Sequence, residues 1–265
     1  MKARLKKPKP IFLSVFSIHA SRIIGDYRKA RKIVVIKAVV FDLDGTLVKF
    51  NLDFKALRAE TINYLTRAGF PASVFSLNET IFETLKKAEI YVNNSGKTKL
   101  DIKKIKQEVF KLAERYEIQA AKHTDTLPGV NSALKLLKKM QLKLGLFTIN
   151  SSLAAGYLLE KLKLKQFFDA IVTRDSVEMV KPNPQHLTVV LRELGVKPKE
   201  AIIVGDSVLD MKSATELKTI GVGIPTGIST QQALIQAGAT YIITSLTDLP
   251  TLVHQLNQAQ ARTRR

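Results

Sequence analysis

Two aspartates, Asp42 and Asp44, close the apolar run AVVFDLDGTLV (Ala38–Val48), and Thr46 follows two residues later. Like charges at that spacing repel, and burying them is costly unless something positive stands beside them. Three later apolar runs also end in polar residues. They are GLFTINSS, with Thr148 and Asn150; EMVKPNPQHL, with Lys181; and IIVGDSVLDM, with Asp206, Ser207 and Asp210. Asp42, Asp206 and Asp210 offer hard oxygen ligands suited to Mg²⁺, which usually binds through few carboxylates plus substrate phosphate. A carboxylate can also act as a nucleophile and form an acyl-phosphate. A second carboxyl close by, Asp44, can protonate a leaving alkoxide and later deprotonate water. A hydroxyl or amide (Thr148, Asn150) and an ammonium (Lys181) can hold the phosphoryl oxygens on which transition-state charge sits. Taken singly, each has a plainer explanation: a turn at Asp44-Gly45, a hydroxyl at a strand end, an exposed loop lysine, a helix cap at Asp206 or Ser207. Their succession at the ends of four consecutive runs favours chemistry.

These residues need elements to position them. Six β-branched, mostly unbroken apolar runs are expected as strands: Ile33–Leu43, Leu142–Thr148, Ala170–Thr173, Ala201–Val204, Thr219–Ile224 and Tyr241–Thr244. Unbroken runs indicate strands buried on both faces, as in a parallel sheet. Amphipathic stretches alternate with them at Val130–Met140, Ala154–Leu162, Pro184–Leu194, Met211–Leu217 and Gln231–Gln236. This alternation predicts a doubly wound, Rossmann-like α/β core with a parallel sheet. In such sheets ligands bind beyond the carboxyl ends of the strands, where the polar residues fall. From about Asn51 to Thr124 no strand-like run occurs. Three helical patterns, Asp53–Ala68, Asn78–Val92 and Leu100–Lys122, fill the interval, with the turn residues NNSGKT (Asn93–Thr98) between the last two. The expected division is a basic N-terminal extension over 1–36, an α/β core over 37–50 and 125–250, a helical insert over 51–124, and a polar, fraying tail over 251–265.

The four segments DLDGTL, FTIN, KPNP and GDSVLD resemble the four motifs of the haloacid dehalogenase superfamily of phosphohydrolases, and the insert resembles that family's mobile cap. The resemblance implies roles. Asp42 is the nucleophile and a metal ligand. Asp44 is the general acid/base and gives the metal its backbone carbonyl. Thr148 binds the phosphoryl group, Lys181 stabilises the aspartyl-phosphate, Asp206 is a metal ligand, and Asp210 completes the acidic pocket directly or through water. Thr46 and Asn150 join the expected phosphoryl contacts. The second motif departs from the family's pattern, in which Asn often follows Thr directly; here Ile149 intervenes, so Thr148 is the firmer assignment. Dehalogenating members lack an acid at the position of Asp44 and need no metal, so phosphate chemistry is expected. The chain looks similar to phosphoglycolate-phosphatase-like members. It is expected to be a Mg²⁺-dependent phosphatase of small phosphate monoesters, working through an aspartyl-phosphate. A phosphomutase would use the same core residues and is the alternative. Arg58, Asn51 and Lys55, near the start of the insert, are the candidates for contact with an anionic leaving group.

Composition narrows the rest. The 265 residues contain no Cys, which excludes a disulfide framework and a thiolate zinc site and fits a cytoplasmic protein. No apolar run reaches the roughly 18–20 residues of a membrane span. Net charge is +19, and residues 1–37 hold eleven Lys and Arg against the single acid Asp26. A polyanion-binding role for this arm is the alternative from another class. Without interleaved aromatic and basic residues, no dedicated nucleic-acid site is expected, and the partner is a small phosphorylated metabolite. IFLSVFSIHA behind MKARLKKPKP has the order of a signal peptide, but Ile18 is a poor residue before a cut at Ala20. A transit peptide, or a translation start near Val34 or Val35, are the other readings; the last, or an ordinary basic arm, is preferred. GVGIPTG (Gly221–Gly227) lacks the spacing of a dinucleotide fingerprint and reads as a loop. His19, His123, His186 and His254 show no ligand spacing and are expected as surface or packing residues. The oligomeric state is open.

Overall fold

The computed structural model describes residues 11–12 as backbone, 35–49, 51–95 and 101–262, with side chains through residue 259. Most of the basic N-terminal extension, with the signal, transit and start-site readings that fall on it, lies outside the described residues. The chain forms two compact units. One comprises Met1–Lys49, Asp125–Ile149 and Leu162–Arg265; the other comprises Phe50–Thr124 and Asn150–Lys161.

The first unit is built on a parallel sheet. In chain order its strands are β1 (Ile11–Phe12), β2 (Ala38–Phe41), β3 (Lys143–Phe147), β4 (Ala170–Val172), β5 (Ala201–Gly205), β6 (Ile220–Gly223) and β7 (Tyr241–Ile242). Their order across the sheet is β1-β7-β6-β5-β2-β3-β4. The short pairing of Ile11–Phe12 with β7 adds an edge strand to the six expected. The run expected as a strand from Ile33 is paired only from Ala38. From β2 the chain winds out to β3 and β4, then returns to β5 on the other side, so the switch in winding direction lies between β2 and β5. Phe41 pairs with Leu146 of β3 and with Val204 of β5, so the three strands end at one level.

Both faces of the central strands are buried, which explains the unbroken apolar runs. Ala38 and Val40 join Phe147 and Ile203 under Leu187, Val190, Leu191 and Leu194 of α6 (Pro184–Leu194). Val39 and Phe41, on the opposite face, are equally buried. Helix α6 starts as the sequence requires: the Asn183 side chain accepts from the Gln185 N–H at 2.9 Å, and Pro184 opens the first turn. Helices α4 (Val130–Lys139), α7 (Val208–Glu216) and α8 (Gln231–Gln236) complete the winding, with α9 (Leu249–Arg262) after β7. The expected polar tail over 251–265 is therefore corrected, because it begins inside α9. Leu249, Leu252 and Val253 make an apolar stripe at helical spacing and are buried, and Asn257 Oδ1 accepts from the Ile36 N–H at 2.8 Å.

The second unit is helical: α1 (Phe54–Arg67), α2 (Ile81–Ser95), α3 (Ile102–Lys122) and α5 (Ser152–Lys161). Asp53 and Asp101 cap α1 and α3 by accepting from the N–H groups of Ala56 and Lys104. Leu57, Leu65, Phe70, Leu85, Val109 and Leu112 form a core separate from that of the sheet. Two sequence expectations change. Helix α2 runs through Asn93–Ser95, expected as a turn. Helix α5, expected within the α/β core, groups with the insert. Its Lys161 Nζ donates to the carbonyls of Ala121, Lys122 and Thr124, where a cation meets the negative end of α3. No helix among the described residues is long and apolar enough to cross a membrane.

Close contact between α6 and β3 depends on Gly145. A Cβ there would stand 2.7 Å from Val190 Cγ1 and 2.9 Å from Leu194 Cδ1. Gly145→Leu should therefore cost about 1–3 kcal/mol in denaturant unfolding. Part of that loss should return when Val190→Ala is added in the same chain; a loss unaffected by Val190→Ala would show that the crowding lies elsewhere.

Candidate active site

The carboxyl ends of β2, β3 and β5 carry the expected residues because the strands end in register. Beyond Phe41, Asp42 donates its N–H to Val204 O at 2.9 Å; beyond Phe147, Thr148 donates its N–H to Val172 O at 3.1 Å. Asp206 follows Gly205 directly. Asp42, Asp206 and Asp210 are buried, and one carboxylate oxygen of each lies within 4.8 Å of the other two.

Lys181 joins this cluster from the loop before α6. Its ammonium donates to Asp42 Oδ1, to Asp210 Oδ1 at 2.7 Å and to Phe147 O at 3.2 Å, and lies 4.2 Å from the centre of the Phe147 ring. Burial by itself would favour the neutral amine. The charges of Asp210 and Asp42 outweigh it and hold the ammonium protonated beyond its ordinary range. Burial pushes Asp42 well above the usual carboxylate range; Lys181 opposes the shift, and Asp210 and Asp206 add to it. Burial, and then Asp210, push Asp206 up to about 6.

Local contacts orient each group. Ser207 caps α7 reciprocally with Asp210: Asp210 Oδ2 accepts from Ser207 N–H at 3.0 Å and from its hydroxyl at 2.6 Å. The capping alternative thus holds for Ser207 while Asp206 stays in the cluster. Asp44 is half-buried at the start of a tight turn, closed by Gly45 N–H donating to Val48 O at 2.8 Å with Gly45 at φ 77°.

Thr46, expected as a phosphoryl contact, is buried beside Asp206. Its hydroxyl donates to Asp206 Oδ1 at 3.2 Å, so it orients a carboxylate. Asn150 is buried and belongs to the helical unit, as does Arg58. Arg58 donates to Leu77 O at 3.2 Å and lies over the Phe54 ring, so its guanidinium is engaged within its own unit. The Asn51 amide likewise donates to His123 O at 3.1 Å.

Two supports escaped the sequence. His186 was grouped with the other histidines as surface or packing, yet it is fully buried behind Lys181. Its Nδ1 accepts from the Lys181 N–H at 3.3 Å, so Nε2 carries the proton and donates to Val172 O at 3.2 Å. Burial lowers its pKa to about 4, which keeps this neutral form. Its position five residues after Lys181, in the first turn of α6, was the available signal. The second is Ile228, whose N–H donates to Asp206 Oδ2 at 2.8 Å; a backbone donor leaves no sequence signal.

The donor set fits a small divalent cation. It is all carboxylate oxygen, convergent and buried, and three carboxylates there face the single ammonium of Lys181. Asp42, Asp206 and Asp210 would hold such an ion.

Comparison with known proteins agrees with this geometry. A family model described as haloacid dehalogenase-like hydrolase matches residues 39–223. The chain is 28% identical over 232 residues to a pyrophosphatase PpaX of Bacillus mycoides, covering 84% of this chain and 99% of that protein. It is 28% identical over 217 residues to phosphoglycolate phosphatase 1 of Pseudomonas aeruginosa, covering 80% of this chain and 78% of the relative. Among solved structures, a hydrolase from Pseudomonas syringae superposes with a TM-score of 0.61 at 24% identity, over 83% of this chain and 98% of that one. The matched region carries Asp42, Thr148, Lys181, Asp206 and Asp210 along most of the chain, and the protein belongs to the haloacid dehalogenase-like hydrolases.

Proposed function

We propose that the protein is a Mg²⁺-dependent phosphatase of small phosphorylated metabolites and that Asp42 is its nucleophile. The observation that carries the reading is the Lys181 ammonium joined to Asp42 and Asp210 beside Asp206. A lone buried carboxylate would be protonated and inert; here Lys181 opposes the effect of burial on Asp42, and a divalent cation at the site would oppose it further.

In the first step an Asp42 oxygen attacks phosphorus and the bond from phosphorus to the leaving oxygen breaks. Asp44, protonated, gives its proton to that oxygen. In the second step water attacks the same phosphorus, Asp44 takes the water's proton, and the bond from Asp42 to phosphorus breaks to release inorganic phosphate. Thr148 binds a phosphoryl oxygen, and Lys181 stabilises the charge that builds on the transferring group. Asp42, Asp206 and Asp210 would hold a Mg²⁺ ion, which would supply further charge neutralisation to the transferring group.

The direct test is phosphate release from a panel containing phosphoglycolate, pyrophosphate, sugar phosphates and an activated aryl phosphate, with Mg²⁺ or with chelator. Release should require the metal, and Asp42→Asn should lower kcat by about 10³-fold or more in a folded protein. Phosphoryl exchange between sugar positions without free phosphate would identify a phosphomutase instead. Lys181→Met should lower kcat by about 100-fold; unchanged kcat would remove its electrostatic role.

A pH dependence also follows. Asp206 has a raised pKa in the metal-free fold, so the folded protein keeps a proton that the unfolded chain has already lost. Its stabilising contribution is complete below the ordinary value of 3.8 and is lost as pH rises through about 6. Mg²⁺ replaces that proton. The rise in Tm on adding Mg²⁺ should thus be small near about pH 5 and larger near about pH 7.5. His186 titrates in the opposite sense, losing stability as pH falls from 6.5 towards about 4, and cancels when each pH is compared with and without metal. A Tm rise independent of pH would argue against metal binding at these carboxylates.

A further inference from the structure

The loop after β6, read in the sequence as a plain connection, touches two of the motifs at once. Thr226 Oγ1 donates to Gly45 O at 2.5 Å, inside the turn that follows Asp44. Gly227 lies against Gly45 and the Asp206 carboxylate. A Cβ on Gly227 would stand 2.0 Å from Asp206 Oδ2 and 2.9 Å from the Gly45 Cα; a Cβ on Gly45 would stand 2.6 Å from the same oxygen. The backbone N–H of Ile228 donates to Asp206 Oδ2 at 2.8 Å, and that of Ser229 to Asp206 O at 3.3 Å. Ser229 Oγ then accepts from Val208 N–H at 3.2 Å, at the start of α7.

The geometry points to Thr226–Ser229 as a positioning element for the carboxylate of Asp206, one that sets the affinity of the site for its divalent cation. This rests on the metal-dependent reading above. With Thr46 donating to Oδ1 and Ile228 to Oδ2, each Asp206 oxygen has a protein donor, which restrains the plane of the carboxylate. Its remaining lone pairs are thereby aimed at the space shared with Asp42 and Asp210. Thr226 extends the same restraint to the turn after Asp44. An ordinary turn glycine is needed for a left-handed φ. Gly227 is not among the residues with positive φ, so space beside Asp206, not backbone conformation, demands glycine there. None of the four loop residues is assigned contact with the reacting atoms. Their effect runs through Asp206, as outer partners of metal ligands commonly act.

The test is calorimetric titration of the whole metal-free protein with Mg²⁺ and no substrate, beside the melting temperature of each metal-free variant. Gly227→Ala should weaken Mg²⁺ binding about 10-fold or more. Thr226→Val should weaken it about 3-fold to 10-fold, and Thr226→Ser, which keeps the hydroxyl, should restore it to within about 2-fold. The Mg²⁺ concentration for half-maximal phosphate release should rise by the same factors. If Gly227→Ala does not fold, the Thr226→Val and Thr226→Ser pair decides the matter. Variants that bind Mg²⁺ as tightly as the wild type would overturn this inference and leave the phosphatase reading standing. A wild type that binds no Mg²⁺ would overturn the metal reading, and this inference with it.

Discussion

A buried ammonium among buried carboxylates governs the α/β unit. Asp42, Asp206 and Asp210 have almost no contact with solvent, and three ionised carboxylates so close together could not persist without positive charge. Lys181 meets two of them, and its own desolvation is compensated by those charges, by Phe147 O and by the Phe147 ring. The balance is incomplete, since Asp42 and Asp206 are still pushed towards protonation. One ammonium among three carboxylates leaves negative charge once they ionise, which suits the site to a divalent cation. Supporting contacts follow from the same need: His186 holds the Lys181 backbone, Ser207 holds Asp210, and Thr46 and Ile228 hold Asp206.

The parallel sheet makes the convergence possible. Strands β2, β3 and β5 end at one level, so the residue following each arrives at the same edge. The winding reverses between β2 and β5, and in open α/β sheets such a switch point is where ligands bind. Asp42 and Asp206 directly follow these two strands. The cost of the arrangement appears as tight packing: Gly145 lets α6 lie directly on β3, and Gly45 with Gly227 lets two loops close over one carboxylate.

The helical unit has its own core and its own caps, and so maintains its fold by local means. Two polar residues that looked available for a ligand are engaged in that task. Asn51 bonds the chain near the end of α3, and Arg58 bonds Leu77. A basic side chain on a helix is weak evidence for a ligand because it has many structural uses. An acid at the exit of a buried strand has few.

The strands, most of the helices and the clustered carboxylates were legible in the sequence because each leaves a local trace. A strand buried on both faces needs an unbroken apolar run, and the polar residue ending that run marks where the chain leaves the sheet. Asp42, Thr148 and Asp206 were all visible in this way. Helix α9 was misjudged because its apolar stripe sits ahead of the polar residues that dominate the tail, and α5 because periodicity does not say which core a helix joins. Roles were less legible than positions. Thr46 was visible as a residue of the first motif, but its partner Asp206 lies 160 residues away. Thr226 meets Gly45 across 181 residues, and Lys181 meets Asp42 across 139. Such pairings depend on the spatial order and register of the strands. The sequence by itself determined which side chains reach the sheet edge; only the tertiary structure decided which oxygen each one meets, because that choice is made by neighbours in space that no local pattern encodes.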